Sequence, residues 1–170
     1  IQFENDTHQE YDTTEIRLSS KGDGKLNWIL GSFKTENVTE YNSQWHVPAI
    51  NPLAAVPGSK DLYYQTDQVR EEEESAVFGE IYYQINDKME LTLGKRKFDM
   101  DTTLKGFVGT VWWPNYILGS STRPDNVNSK YDGSDSISKI NLSYQVDNNS
   151  MLYITRSEGY RPGGANRTTQ

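Results

Sequence analysis

Residues 81–93 read Ile81-Tyr82-Tyr83-Gln84-Ile85-Asn86-Asp87-Lys88-Met89-Glu90-Leu91-Thr92-Leu93. Apolar side chains recur at every second position on both sides of the polar triplet Asn86-Asp87-Lys88, which predicts two strands joined by a short turn. Folding the stretch about the triplet sets Ile85, Tyr83 and Ile81 opposite Met89, Leu91 and Leu93. Residues directly opposite in an antiparallel pair share a face, so this register puts apolar groups on one side and Glu80 and Glu90 on the other.

The pattern recurs upstream and downstream. Turning at Gly22-Asp23-Gly24 sets Leu18 opposite Trp28 and Ile16 opposite Leu30, and turning at Asp147-Asn148-Asn149 sets Tyr144 opposite Leu152 and Leu142 opposite Ile154. The second face then collects Glu15, Arg17, Asn27, Glu80, Glu90, Arg96, Lys139 and Asn141. Six strands are expected: Thr13 to Lys21, Lys25 to Lys34, Ser75 to Ile85, Met89 to Phe98, Ser136 to Val146 and Ser150 to Gly159. Each holds about ten residues, the length a tilted strand needs to cross a bilayer.

A soluble sandwich turns such apolar faces inward, and a membrane barrel turns them out to lipid. The connections favour the barrel. The three turns are short, whereas polar loops are expected from about Thr35 to Glu74 and from about Asp99 to Asp135, far longer than compact domains usually carry. The chain has 170 residues, of which only 34% are hydrophobic and 24% charged. That is lean for a soluble globule, whereas a barrel wall meets lipid with alternate residues only. No run approaches the roughly 20 apolar residues of a membrane-spanning helix. The expected fold is all-β, an antiparallel meander of about six strands forming a segment of a large transmembrane β-barrel, with short periplasmic turns and long extracellular loops. Because small closed barrels already need about eight strands, these six require neighbours. Ile1 to Tyr11 lacks the features of an export signal and no closing strand precedes Gln170, so residues 1–170 are expected to be an internal portion.

The net charge of −7, with acid concentrated at Glu71 to Glu74, argues against a nucleic-acid partner, which requires a basic footprint. The four glutamates read as a solvated rim ahead of a strand, with a divalent-cation bridge as the lesser alternative. Cysteine is absent, which removes disulfides and thiolate chemistry. His8 and His46, expected on different loops, give no transition-metal site, and Asp125 to Asp135 reads as a mobile loop without calcium-hand spacing. No metal and no cofactor are expected. Glu80 and Glu90 share the polar face, but their expected separation lies at the far end of what an inverting glycosidase tolerates, so no enzymatic activity is expected.

Three segments resemble TonB-dependent outer-membrane receptors. They are Glu15 to Ser20 with Leu26 to Phe33; Ala76 to Glu80 leading through Asn86-Asp87-Lys88 to Leu91-Thr92-Leu93-Gly94-Lys95-Arg96; and Ile140 to Tyr144 through Met151-Leu152-Tyr153 to Gly159-Tyr160-Arg161-Pro162-Gly163-Gly164. The resemblance implies part of a 22-stranded barrel in the Gram-negative outer membrane. It implies ligand-gated uptake of an iron-siderophore complex, or of cobalamin, haem or an oligosaccharide, energised by TonB through a plug that these residues do not contain. The rival from the alternation alone is a soluble β-sandwich module binding carbohydrate. In one respect the chain departs from the family pattern: Lys95 and Lys97 fall on the lipid-facing phase. A lysine costs about 2 to 4 kcal/mol at mid-bilayer and about 0 to 1 near the interface, and both are expected near the long-loop end, within reach of lipid phosphates.

Candidate ligand-contacting residues are Trp112, Trp113 and Tyr116, which concentrate rigid aromatic area with polar tips, followed by Trp45, Tyr160 and Arg161; the alternative is that the aromatics form an interfacial girdle or pack the loops against one another and that Arg161 caps a turn. Arg17, Glu80, Arg96 and Asn141 are candidates for the lumen wall and plug contact. Phe78 is expected opposite Arg96, with an ion pair between Glu80 and Arg96 on the diagonal. Aspartate is expected to be excluded from Leu91 and tolerated at Thr92.

Overall fold

The computed structural model describes residues 1–49, 61–110, 125–161 and 163. They form one antiparallel sheet in which each strand pairs with the next: β1 (Gln2–Ser19), β2 (Leu26–His46), β3 (Leu62–Asn86), β4 (Met89–Thr110), β5 (Val127–Gln145) and β6 (Met151–Ser157). No helix occurs among the described residues.

The strands are much longer than expected. β3 runs for 25 residues and β2 for 21, whereas about ten cross a bilayer. Most of the expected long loops are therefore strand. Glu71 to Glu74 lie inside β3, with Glu72 and Glu74 on the polar face and Glu71 and Glu73 on the other. Most of 125–135 is β5, and His8 and His46 sit on adjacent strands. Beyond the apolar zone the outer face is largely polar as well, so the period-two signal fades while the backbone ladder continues.

Register decides which faces form. The second hairpin pairs Tyr83 with Leu91 and Ile81 with Leu93 as expected, but a bulge at Ile85 puts Asn86, not Ile85, opposite Met89. The third hairpin matches, Tyr144 facing Leu152 and Leu142 facing Ile154. In the first, Leu18 faces Leu30 and Ile16 faces Ser32. This two-residue slip keeps every side chain on its expected face but widens the turn beyond the glycine triplet. Ser20 explains the width: its Oγ accepts from the Trp28 amide at 2.9 Å and donates to Asn27 Oδ1 at 3.1 Å, and Asn27 in turn donates to the Gly24 carbonyl at 3.2 Å.

The apolar face carries Leu18, Leu30, Val77, Ile81, Leu93, Ile140 and Ile154, each at least 44% exposed. Among the described residues no second sheet covers them, so the sandwich is not what forms. On β3 this belt runs from Ile85 to Val77, about 26 Å of strand at ~3.3 Å per residue, or about 20 Å of height at a 40° tilt. Trp28, Tyr83 and Tyr144 stand on the same face toward the short turns, where an interfacial girdle belongs. At the opposite end the sheet thickens locally: Leu104, Val108 and Val127 are buried together beside Tyr64. There the Asn126 amide pairs with both backbone groups of Val108, at 2.9 and 2.7 Å, and pins the start of β5.

Candidate functional site: the polar wall

The polar face is a ladder of arginines, each held between a carboxylate and an aromatic ring. Nearest the turns, Arg17 pairs with Glu15 and lies 5.8 Å from the Phe78 ring centre. Arg96 pairs with Glu74 and lies 5.1 Å from Phe33, and farther along Arg70 stands 3.9 Å from Glu72 and 5.9 Å from Tyr41. The ring supplies a quadrupole for the cation and the carboxylate neutralises it, so each arginine is fixed on two sides. Around the lower part of the ladder lies a concavity of about 370 Å³ lined by Glu15, Phe33, Phe78, Glu80, Arg96 and Lys139.

Phe78 does face Arg96. The expected Glu80–Arg96 pair does not form. Gly94, the residue opposite Glu80, has Lys139 as its other neighbour, and Lys139 reaches over the glycine to place Nζ 3.1 Å from Glu80 Oε1. A Cβ at Gly94 would meet Glu80 at 3.2 Å, so the missing side chain is what opens this path. Tyr82 also donates to Glu80 at 2.8 Å. Glu80 is thus held by a cation and a phenol at once. Asn141 donates to Thr155 Oγ1 at 2.5 Å and so ties β5 to β6.

Tyr160 lies beyond the end of β6 and closes over the middle of the ladder. Its ring stacks on Phe98 at 4.1 Å, and its hydroxyl donates to Glu74 at 3.0 Å. Burial, and then the bond to Glu74, pushes the phenol above its ordinary value. Arg161 beside it is exposed. Trp112, Trp113 and Tyr116 lie outside the described residues.

Trp45 stands on the polar face near the far end of β2. Phe3, Trp45 and Tyr64 occupy one register row across β1, β2 and β3 on the polar face. Phe3 and Trp45 are 5.5 Å apart at 82°, and Trp45 and Tyr64 5.9 Å apart at 63°, both edge to face. Phe3 and Trp45 remain 56% and 42% exposed and present aromatic surface, whereas Tyr64 packs against the buried cluster of Leu104, Val108 and Val127. Phe3 carries no strand signal because β1 is polar on both faces around it, and Glu74 none because it ends a run of four glutamates. Among the described residues no group of three His, Asp or Glu side chains could hold a metal ion.

A single extended sheet, apolar and exposed on one face and ion-paired on the other, defines a segment of membrane-spanning β-barrel wall. Residues 2–170 match the family model for the TonB dependent receptor-like β-barrel, and the chain belongs to that family. Among solved structures it is similar to the ferric yersiniabactin uptake receptor FyuA from Yersinia pestis, with a TM-score of 0.74 at 14% identity. The alignment covers 99% of this chain and 23% of that receptor, so the chain spans about a quarter of its length. No curated protein sequence matches the chain.

Proposed function

We propose that these strands form part of the wall of an outer-membrane receptor that captures a ferric chelate at the extracellular end of its lumen and imports it with energy delivered through TonB. The observation that carries this reading is the two-faced sheet: an exposed apolar belt and, behind it, a polar wall ending in an aromatic row. The chelate is the favoured ligand because the similar FyuA structure is titled as a ferric yersiniabactin uptake receptor and because exposed aromatic edges at Phe3 and Trp45 suit a planar chelator. Cobalamin, haem and oligosaccharides are the alternatives. Trp45 and Phe3 contact the ligand, together with Trp112, Trp113 and Tyr116, while Arg161 offers a cation to an anionic chelate. Arg17, Glu80, Arg96 and Asn141 face the lumen, where a plug outside these residues docks. Further strands complete the barrel, and the receptor catalyses no reaction.

Growth of a deletion strain, complemented with the full-length receptor, on a panel of ferric chelates as sole iron source tests the reading. Restoration on one chelate and its loss in Trp45→Ala are expected. Growth on every chelate without the receptor overturns it.

A further inference from the structure

The residues after β6 leave the sheet and turn onto its polar face. The Glu158 amide still donates to the Ser138 carbonyl at 2.9 Å, and the Glu158 carboxylate accepts from the Ser138 amide at 2.8 Å. Beyond that pair the chain crosses β5: Gly163 lies against the Tyr131 ring, where a Cβ would come within 2.4 Å. Tyr160 reaches past β5 to Phe98 on β4 and Glu74 on β3. Among the described residues nothing lies within 4 Å of where a Gly159 Cβ would stand, so the joint between the sheet and Tyr160 is unpacked. Tyr160 is the side chain that holds this strap to the centre of the wall.

The place it fills has the chemistry of a phenol site. Phe33, Ala76 and Phe98 form one register row on the polar face of β2, β3 and β4, so a short alanine parts two rings. Tyr160 stacks on the second ring with centroids 4.1 Å apart at 26°, and Phe98 beneath it is only 1% exposed. The Tyr160 hydroxyl stands 3.0 Å from both oxygens of Glu74 and donates to them. Arg96, held over Phe33, neutralises the same carboxylate. A flat ring with its hydroxyl on an already balanced carboxylate gains stacking and a charge-assisted hydrogen bond, whereas a phenolate or a second carboxylate would meet Glu74 with like charge. None of these contacts requires the ring to belong to the chain.

We infer that this is a phenol-binding site which the protein occupies with its own Tyr160, and that a ligand carrying a free phenol takes the site by displacing the strap. The inference deepens the uptake reading above and rests on it for the route by which such a ligand reaches the polar wall. Glu74 accepts the hydroxyl proton, so a phenolate already spent on a metal does not qualify; the site takes a phenol that the metal leaves uncoordinated. While Tyr160 is in place the site is closed, and the affinity of an incoming phenol falls in proportion to the fraction of molecules with the strap away. A minor open state of about 0.1 to 10% makes that a factor of about 10 to 1,000.

The probe is para-cresol, the tyrosine side chain without its backbone, titrated into the full-length receptor in mild detergent. Tyr160→Ala, with the site vacated, is expected to bind it at least about tenfold more tightly than wild type does. Toluene, which lacks the hydroxyl, should bind Tyr160→Ala at least about tenfold more weakly than para-cresol. Adding Phe98→Ala to Tyr160→Ala removes the floor of the site and should abolish the gain. Displacement is read in the otherwise wild-type receptor with a fluorinated tyrosine in place of Tyr160, a measurement that needs no cavity-forming variant: its fluorine resonance should move toward the solvent-exposed position as para-cresol is added. Equal affinity in wild type and Tyr160→Ala, equal binding of para-cresol and toluene, or a fluorine resonance unmoved up to the solubility limit of the probe overturns the inference. Para-cresol reads the site whether or not a chelate is imported, so these failures leave the uptake reading standing. Growth on every ferric chelate without the receptor overturns that reading and not the site.

Discussion

Placing a lysine at Ile81 probes the central assignment of faces. Ile81 is 46% exposed in the middle of the apolar belt, between Trp28 on β2 and Leu93 on β4. A lysine facing lipid at that depth costs about 2 to 4 kcal/mol, a factor of about 30 to 700 in the folding equilibrium at 1.4 kcal/mol per decade. Ser143 gives the matched control on the other face: it stands directly opposite Glu90, so Ser143→Lys adds a cross-strand ion pair of about 0.2 to 1 kcal/mol. Equilibrium unfolding of the full-length receptor in lipid vesicles, with heat-modifiable gel migration as the readout of assembled barrel, measures both. Ile81→Lys should shift the unfolding midpoint strongly to lower denaturant, and Ser143→Lys should leave it unchanged or raise it slightly. Equal losses at the two positions refute the assignment of faces.

Three further outcomes follow from single contacts. A double-mutant cycle with Glu74→Ala and Arg96→Ala should give a coupling of about 1 kcal/mol, because the pair is only partly shielded from solvent; additive losses in the unfolding assay would count against it. Gly31 lies under the Phe78 ring, which a Cβ there would overlap, so Gly31→Ala should cost about 1 to 3 kcal/mol by overpacking, and the cost should vanish in a Phe78→Ala background; persistence there points to a backbone cause. Replacing Trp45 by Ala, or Trp112 and Trp113 together, should weaken chelate uptake while the barrel still assembles; unchanged uptake removes those residues from the ligand site.

The part of the sheet that was legible in the sequence is the part that lipid or a turn constrains. Ile81 to Leu93 and Leu142 to Ile154 alternate because one side must be greasy, and their registers follow from that alone, apart from the bulge at Ile85. Above the belt, residues such as Glu71, Glu73 and Asp101 meet water on the outer face while Glu72 and Thr102 face the polar wall. With polar groups on both sides, neither composition nor periodicity separates a strand from a loop, and a long backbone ladder leaves no side-chain signature. Partner choice was hidden for a different reason. Arg96 and Lys139 are both candidates for Glu80, and only the gap at Gly94 decides between them. The tolerance expected of Thr92 toward Asp shows the same limit: Thr92 is on the polar face but only 5% exposed, so a carboxylate there is buried without a designed partner and should destabilise rather than pass unnoticed.

The way the polar wall is neutralised bears on the proposed uptake. A lumen lined with free arginines would attract an anionic chelate strongly and then hold it, and passage requires binding weak enough to leave as well as favourable enough to enter. Arg17, Arg70, Arg96 and Lys139 each stand against a carboxylate, and the three arginines are also fixed over rings, so little of their charge is offered to a passing ligand. At the far end the chemistry changes to the edge-to-face row of Phe3, Trp45 and Tyr64, which grips by contact area rather than by charge. In the proposed receptor this division places selection at the aromatic row and leaves the lower wall as a surface on which a neutralised network can exchange partners. Charge reversal at Glu74 makes the distinction measurable: it frees Arg96 and Tyr160 in the middle of the wall, and it should slow ligand release in single-turnover uptake more than it changes the affinity of first capture.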